Sequence, residues 1–295
     1  MGRLFKAFFF KLSRDLSFRI VLIIGAGLAF FMTGLFLLID LGLGTFGGGE
    51  ETIRMLSGPN MLLSAFNPVD NFGLAIPISL ITFICLEFSQ GTIRNKIIAG
   101  HSKFKIYTSL FLSGLVLAFS LLIVYASLCT LLGTIFGGFD LNQPVMNMSS
   151  LAAIMALGSY IDGVYITQLL VTALVVYICI VSFTIFFASL FRSIGPCIPV
   201  VIIALIMLSV GGSMISMIAE ALEDDVIVKI VEIIDPLFVI SGGGVEGNMV
   251  LVDDKARMYL SIETGAFVAT IINNLVYAAL FFVGGALIFA KRDVK

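Results

Sequence analysis

The chain alternates between long runs without charged residues and shorter segments that carry most of its ionisable side chains. A helix needs about 20 mostly apolar residues to cross the hydrocarbon core of a bilayer. The apolar runs approach or exceed that length and are apolar on every face, so they predict transmembrane helices. Pro77 lies in the shortest run and predicts a bend there. Six spans are expected, at 18–43, 72–86, 106–136, 164–191, 197–219 and 266–290.

Composition agrees with this pattern, because 59% of the 295 residues are hydrophobic and only 12% are charged. Soluble domains carry about a quarter charged residues. The polar segments are too short to bury a core of their own. We therefore expect an all-α integral membrane protein that forms a single transmembrane domain over residues 1–295. The cysteines have no metal-binding spacing and are predicted to be packing residues of the spans; they are Cys85, Cys129, Cys179 and Cys197.

The basic residues predict the orientation of the spans. With six spans both ends of the chain lie on one side, and that side receives thirteen of the seventeen lysines and arginines. The positive-inside rule then predicts that both termini and the segment 87–105 are cytoplasmic. Most acidic residues fall in the predicted outer loops. The last of these loops, 220–265, is expected to contain a short helix that ends at Asp235-Pro236.

The segment before the first span predicts a helix that lies in the membrane interface. Apolar residues recur there at helical intervals with basic residues mostly between them, which is typical of an interfacial helix. A disordered basic tail is the alternative, but the segment is rich in phenylalanine. The interfacial helix is expected over residues 1–17, with its apolar stripe at Leu4, Phe5, Phe8, Phe9, Leu12 and Leu16.

The sequence carries no motif for catalysis or cofactor binding. It has no phosphate-binding glycine loop, and its single histidine, His101, has no cysteine or histidine partner nearby. The spans contain almost no charged residue, which argues against an ion-coupled carrier. Asp40 is the exception, near the outer end of the first span. Hydroxyl and amide side chains dot the spans, and we expect them to bond between helices or to line a path for an amphipathic substrate.

The polar segment "EFSQGTIRNKIIAGHSKFK" at 87–105 predicts a short helix. Thr92 is suited to cap its start, Gly100 to end it, and Ser102 to cap the next helix. Two turns of helix are too short to be stable alone in water. We therefore expect the segment to be ordered by docking onto another surface, with apolar contacts from Ile93, Ile97 and Ile98 and charged contacts from Arg94 and Lys96.

This segment resembles the cytoplasmic motif between the second and third spans of type-2 ABC exporter permeases. The closest likeness is to Firmicutes permeases near bacitracin, lantibiotic and cytolytic-peptide transporters. In that family the motif forms a coupling helix that binds a groove on the ATP-binding subunit. Lys103 stands where we expect arginine, which keeps the charge but not the bidentate geometry. The resemblance implies contact residues Glu87, Gly91, Thr92, Ile93, Arg94, Asn95, Lys96, Ile97, Gly100, His101, Ser102 and Lys103, with a weaker second contact at Arg192 and Ser193.

The resemblance also implies the function that we expect. The chain would be a permease subunit, not an enzyme, that pairs with a second permease, most simply an identical copy, in a bacterial cytoplasmic membrane. Two ATP-binding subunits would carry ATP and magnesium, and no cofactor or nucleic acid would bind this chain. A peptide substrate is favoured, and a lipid-linked compound or hydrophobic drug is the alternative. Acidic Glu223, Asp224 and Asp225 are candidate external contacts for a cationic peptide. A non-transporting membrane anchor or sensor for an ATPase is the rival function.

Overall fold

The structure, a computed structural model, describes residues 2–14, 16–42, 56–66, 75–141, 160–207, 248–252, 258–262 and 264–291. Most of these residues are helical. The helices are α1 (Gly2–Arg14), α2 (Leu16–Gly42), α3 (Gly58–Ala65), α4 (Ala75–Ser89), α5 (Thr92–Ile98), α6 (Lys103–Gly137), α7 (Gly163–Phe191), α8 (Ile194–Met207) and α9 (Thr264–Lys291). The strands are β1 (Tyr160–Ile161), β2 (Asn248–Val252) and β3 (Met258–Ser261).

Four of the described helices are long and apolar enough to cross a membrane. Their apolar stretches are Phe18–Leu38 in α2, Lys103–Gly137, Gly163–Phe191 and Phe267–Lys291. They correspond to the first, third, fourth and sixth predicted spans. At 1.5 Å per residue the 35 residues of α6 extend over about 50 Å. Since the hydrocarbon core is about 30 Å thick, the ends of α6 reach beyond it.

The second and fifth predicted spans are not long single helices among the described residues. Helix α4 has 15 residues and reaches the length of a span only together with α5, to which it is bent by 56°. The bend was expected at Pro77, but Pro77 lies in the first turn of α4, where its missing N–H breaks no helical hydrogen bond. The turn lies instead at Gly91, whose φ is +68°. The fifth predicted span is described only as far as Met207.

Helix α7 lies at the centre of the described bundle. About 67% of its most apolar window is buried, against 22% for α2 and for α9. Its Phe183 meets Phe281 of α9 edge to face, with ring centroids 5.1 Å apart. Close to the end of α9, Gly285 allows Tyr107 of α6 to approach, because a Cβ there would overlap the tyrosine hydroxyl. Burial of these large apolar surfaces is therefore shared among α6, α7 and α9.

Many hydroxyl side chains of the described spans bond within their own helices. Ser113 donates to the carbonyl of Ser109 at 2.9 Å, and Thr184 donates to that of Ile180 at 2.7 Å. The prediction of hydrogen bonds between helices is therefore wrong for these hydroxyls, which use the carbonyl four residues earlier. The same backbone pattern, to a carbonyl three or four residues earlier, holds for Thr33, Ser79, Thr108, Ser109, Ser120, Thr130, Ser182 and Ser189.

Helix α3 was not predicted, because the segment 44–71 was expected to be an outer loop. Ser57 caps it by accepting from the Asn60 amide at 3.4 Å, and a proline occupies its first turn. The helix packs against the C-terminal half of α6. Glycines on α6 allow this close approach, since a Cβ at Gly137 would overlap the backbone of Leu56 and one at Gly133 would crowd Met61.

A small three-stranded sheet accompanies the helices and was not predicted from the sequence. Its order is β1-β3-β2, with β1 parallel to β3 and β2 antiparallel to β3. Tyr160 pairs with Tyr259, so the sheet joins the segments 137–163 and 220–265, both predicted to be outer loops. The short helix predicted before Asp235-Pro236 lies outside the described residues. Strands β1 and β3 lead almost directly into α7 and α9, so both helices enter the bundle from the same end.

The bundle has two ends of different character. The Glu87 end comprises α1, α5, the start of α6 and the C-terminal ends of α4, α7 and α9. The sheet end comprises α3, the end of α6 and the strands. The Lys103 ammonium donates to the Ala290 carbonyl at 2.8 Å, which ties the start of α6 to the end of α9. In the described part of the chain, α1 and the end of α9 therefore lie at the same end of the bundle, while the number of spans and the membrane side of each end stay predictions.

Candidate functional site

The turn between α4 and α5 gives the Glu87 end its shape. Backbone hydrogen bonds run from Gln90 to Leu86 and from Gly91 to Phe88, at 2.9 and 3.1 Å. Gly91 then takes a left-handed conformation and is the N-cap of α5. Thr92 was predicted to be the cap, but it is already the first helical residue. Glycine avoids the steric conflict that a side chain meets at positive φ.

The end of α5 follows the sequence prediction closely. Gly100 has φ +86° and its amide donates to the Ile97 carbonyl, while the His101 amide donates to the Lys96 carbonyl at 3.2 Å. This pair of bonds is a Schellman motif, which satisfies the last carbonyls of a helix. Ser102 then accepts from the Lys105 amide at 3.4 Å and caps α6, as predicted.

A buried carboxylate holds three segments of the chain together. Glu87, at the end of α4, has 0% exposure and forms ion pairs with Lys11 of α1 and Lys96 of α5. The Lys96 distance is 2.9 Å, and Lys11 also donates to the Gln90 side chain at 3.1 Å. Isolated buried charges are very costly, so partners are required. We call Lys11, Glu87, Gln90 and Lys96 the Glu87 cluster.

Lys96 is held on both sides. Its ammonium lies 3.2 Å from the ring centroid of Phe8, a fully buried residue of α1, in a cation–π contact. Burial lowers the pKa of Lys96, while Glu87 acts in the opposite direction by favouring the charged form. Helix α1 therefore contributes both an aromatic ring, Phe8, and a second ammonium group, Lys11, to the contacts that hold α5 in place.

Arg192 and Ser193 lie at the same end, after α7. Arg192 is in the left-handed region at φ 56°, an uncommon conformation for a residue with a side chain. Its guanidinium lies 5.4 Å from the ring centroid of Phe88 on α4, and Phe88 in turn meets Phe289 of α9. The structure therefore brings the predicted second contact to the end that carries α5. Ser193 is exposed and Arg192 is half-buried.

The predicted contact residues divide into buried and exposed groups. Glu87 and Ile93 have 0% exposure, so their predicted direct contact with a partner is not possible in this structure; both position α5 from inside the chain. Ile97 also packs against the core. The expectation that α5 docks onto another surface agrees with its contacts to α1, α4 and α6, a surface that belongs to the same chain. The outward-facing residues of the turn are Arg94, Asn95, Ile98, Gly100 and Ser102, with Gly91, Thr92, Lys96, His101 and Lys103 half-buried.

Sequence reasoning missed the role of α1 in this site. The pattern before the first span predicts only an interfacial helix for Phe8 and Lys11, and no local signal connects them to residue 87. The one available signal was Glu87 itself, a lone acid in an otherwise basic segment beside an apolar span. Glu223, Asp224 and Asp225 lie outside the described residues. No group of three histidine, cysteine or acidic side chains in the described ranges is arranged to hold a metal ion.

Neither a protein-family model nor a curated protein matches the chain. The class is defined by the structure instead. The four long apolar helices among the described residues are those of a helical, multi-pass membrane protein. The candidate site is the exposed surface of α5, held on the bundle by the Glu87 cluster.

Proposed function

We propose that this protein is the permease subunit of an ATP-driven ABC exporter in a bacterial cytoplasmic membrane. The observation that carries the proposal is α5: a short, capped helix fixed to the end of a membrane bundle, with Arg94, Asn95 and Ile98 facing outward. Ile98 is 73% exposed. Arg94 and Asn95 lie four and three residues before Ile98, so a cation, an amide and an apolar side chain share one outward face of a firmly held helix. That combination suits a docking surface for another protein.

The connections of α5 explain how it would transmit movement. The Gly91 turn joins it to α4, the Glu87 cluster joins it to α1, and the Gly100 turn joins it to α6. A force on its outer face is therefore delivered to three helices at once. In the proposed complex ATP binding closes two ATPase subunits, and the coupling surfaces of two permease copies carry that closure to the spans. Such a shift requires ATP to bind the two states with different affinity.

The substrate follows from the spans and the predicted exterior. The absence of charged side chains from most of the apolar runs argues against small ions. An amphipathic peptide fits an apolar path with scattered hydroxyls, and the acidic Glu223, Asp224 and Asp225 would attract a cationic one. A lipid-linked compound or a hydrophobic drug is the alternative substrate. In the rival function, the chain anchors an ATPase at the membrane without transport.

Co-purification tests the proposal directly. The tagged wild-type chain should retain an ATPase, whereas Arg94→Glu should lose it, because the change reverses the charge of an exposed residue on the docking face. Lys291→Glu makes the same reversal at the end of α9 and should retain the partner. Loss of binding in both variants, or in neither, would contradict a docking surface centred on α5.

Transport assays then separate permease from anchor. Membrane vesicles that contain the complex should accumulate a cationic amphipathic peptide in an ATP-dependent manner. ATPase binding without stimulation by any peptide, lipid-linked compound or drug would favour the anchor.

A further inference from the structure

A cavity at the Glu87 end lies outside the proposed docking surface. It has a volume of about 330 Å³ and is lined by α1 and the C-terminal part of α4. This volume falls at the lower end of the range of small-molecule sites. The lining residues are Phe10, Lys11, Arg14, Phe83, Leu86 and Gln90.

The walls of this cavity differ in chemistry. Phe83 and Leu86 supply an apolar wall on α4, and Phe10, which is 56% exposed, extends it on α1. Lys11 and Arg14 supply positive charge one turn apart on α1. The Arg14 guanidinium lies 4.3 Å from the centroid of the Phe10 ring. A ligand that fills the cavity would therefore have an anionic part and an apolar part.

The positive charge of the cavity is only partly neutralised. Among the described residues Arg14 has no ion-pair partner, and the one carboxylate beside the cavity, Glu87, is shared between Lys11 and Lys96. The first nineteen residues of the sequence contain five lysines and arginines against a single acid, Asp15. An arginine guanidinium presents several N–H donors to phosphate oxygens. The net positive charge therefore favours a headgroup with net negative charge over a zwitterionic or neutral one.

We propose that this cavity binds an anionic phospholipid, with the phosphate at Arg14 and Lys11 and the start of an acyl chain on Phe83 and Leu86. Basic pockets between helices at the cytoplasmic surface of a membrane recognise lipids in this manner. The bound lipid joins α1 to α4 beside the Glu87 cluster. This site does not depend on the identity of any ATPase partner.

Native mass spectrometry of the purified full-length chain tests the site. The protein in detergent is mixed with equal amounts of phosphatidylglycerol and phosphatidylcholine. It is then freed of detergent in the mass spectrometer, and the lipids that stay bound are compared. The wild type should retain phosphatidylglycerol selectively. Removing one cation near an anionic membrane surface corresponds to about a fivefold loss of affinity, and we expect this loss in Arg14→Gln. Lys6→Gln, which removes an exposed cation from the same helix outside the cavity, should behave as the wild type does.

Two further arms make the outcome decisive. Leu86→Gln should weaken retention of the lipid, because it places a polar amide where the acyl chain lies, while size-exclusion profiles report whether each variant remains folded. Soluble glycerol phosphate at the same concentration should not displace the lipid. The proposal is overturned if the wild type retains both lipids equally, if Lys6→Gln and Arg14→Gln lose the same amount, or if glycerol phosphate alone competes fully.

Discussion

Removing the charge of Glu87 should destabilise the fold, because its two lysine partners would remain. Glu87→Gln preserves the size of the side chain and leaves Lys96, whose side chain is 16% exposed, without its carboxylate. Breaking a buried ion pair in this way costs about 3–5 kcal/mol. Lys11 is 39% exposed and adds about 0–1 kcal/mol, since solvent screens it. The Phe8 ring still faces Lys96 in the variant, so we expect a loss of about 3 kcal/mol.

Thermal unfolding with a thiol-reactive dye measures this loss. The chain has no tryptophan, but its four cysteines are all buried and become reactive when the protein unfolds. At about 2–4 °C per kcal/mol, the variant should unfold several degrees below the wild type. The double variant Glu87→Gln/Lys96→Met should recover most of the loss, because replacing a whole buried pair by apolar groups is often neutral.

The dependence on pH provides a second check with a defined sign. Burial already lowers the pKa of Lys96 below its ordinary 10.5, and loss of Glu87 removes the interaction that opposes this shift. Between the folded pKa and 10.5 the unfolded chain binds more protons, so stability rises with pH in that window. The Glu87→Gln variant should therefore regain part of its stability as pH increases towards 10.5. An unchanged unfolding temperature in the single variant, or no rescue in the double variant, would refute the reasoning.

Two further predictions concern glycines. The first is tested by the same unfolding assay, and the second by that assay together with amide exchange. Gly285→Ala should reduce the free energy of unfolding by roughly 1–3 kcal/mol, the cost of an overpacked core, and so lower the unfolding temperature, since its Cβ meets Tyr107. The adjacent Gly284→Ala, whose Cβ would stand 3.4 Å from Phe186, should be neutral or stabilising, because alanine favours helix by roughly 0.5–1 kcal/mol; equal effects would contradict the packing. Gly100→Ala should cost about 1–2 kcal/mol at its positive φ and speed amide exchange at His101. Gly100→Asn should be milder, since asparagine tolerates that conformation, and unchanged exchange in the alanine variant would count against the Schellman motif.

Much of the local structure follows from local sequence. The apolar runs predicted four helices that the structure confirms as long enough to span a membrane. Gly100 and Ser102 were expected to end α5 and cap α6, and they lie close to those positions. Capping depends on residues within one turn of each other, so the chain needs no distant contact to specify it. The sheet and α3 were not predicted, because such short segments are stabilised by the parts of the chain that they pack or pair against, and the local sequence does not show those partners.

The sequence by itself determined that this is an apolar, helical membrane chain with a polar segment at 87–105 that forms a short capped helix. Only the tertiary structure decided what that helix rests on. Lys11 and Glu87 are distant in sequence, and their pairing depends on how α1 folds back against α4. In the same arrangement Ile93 is buried, while Arg94 and Ile98 are exposed. The physical reason is that an apolar span cannot leave a carboxylate buried without a cation, and a cation that is remote in sequence reaches it only through folding.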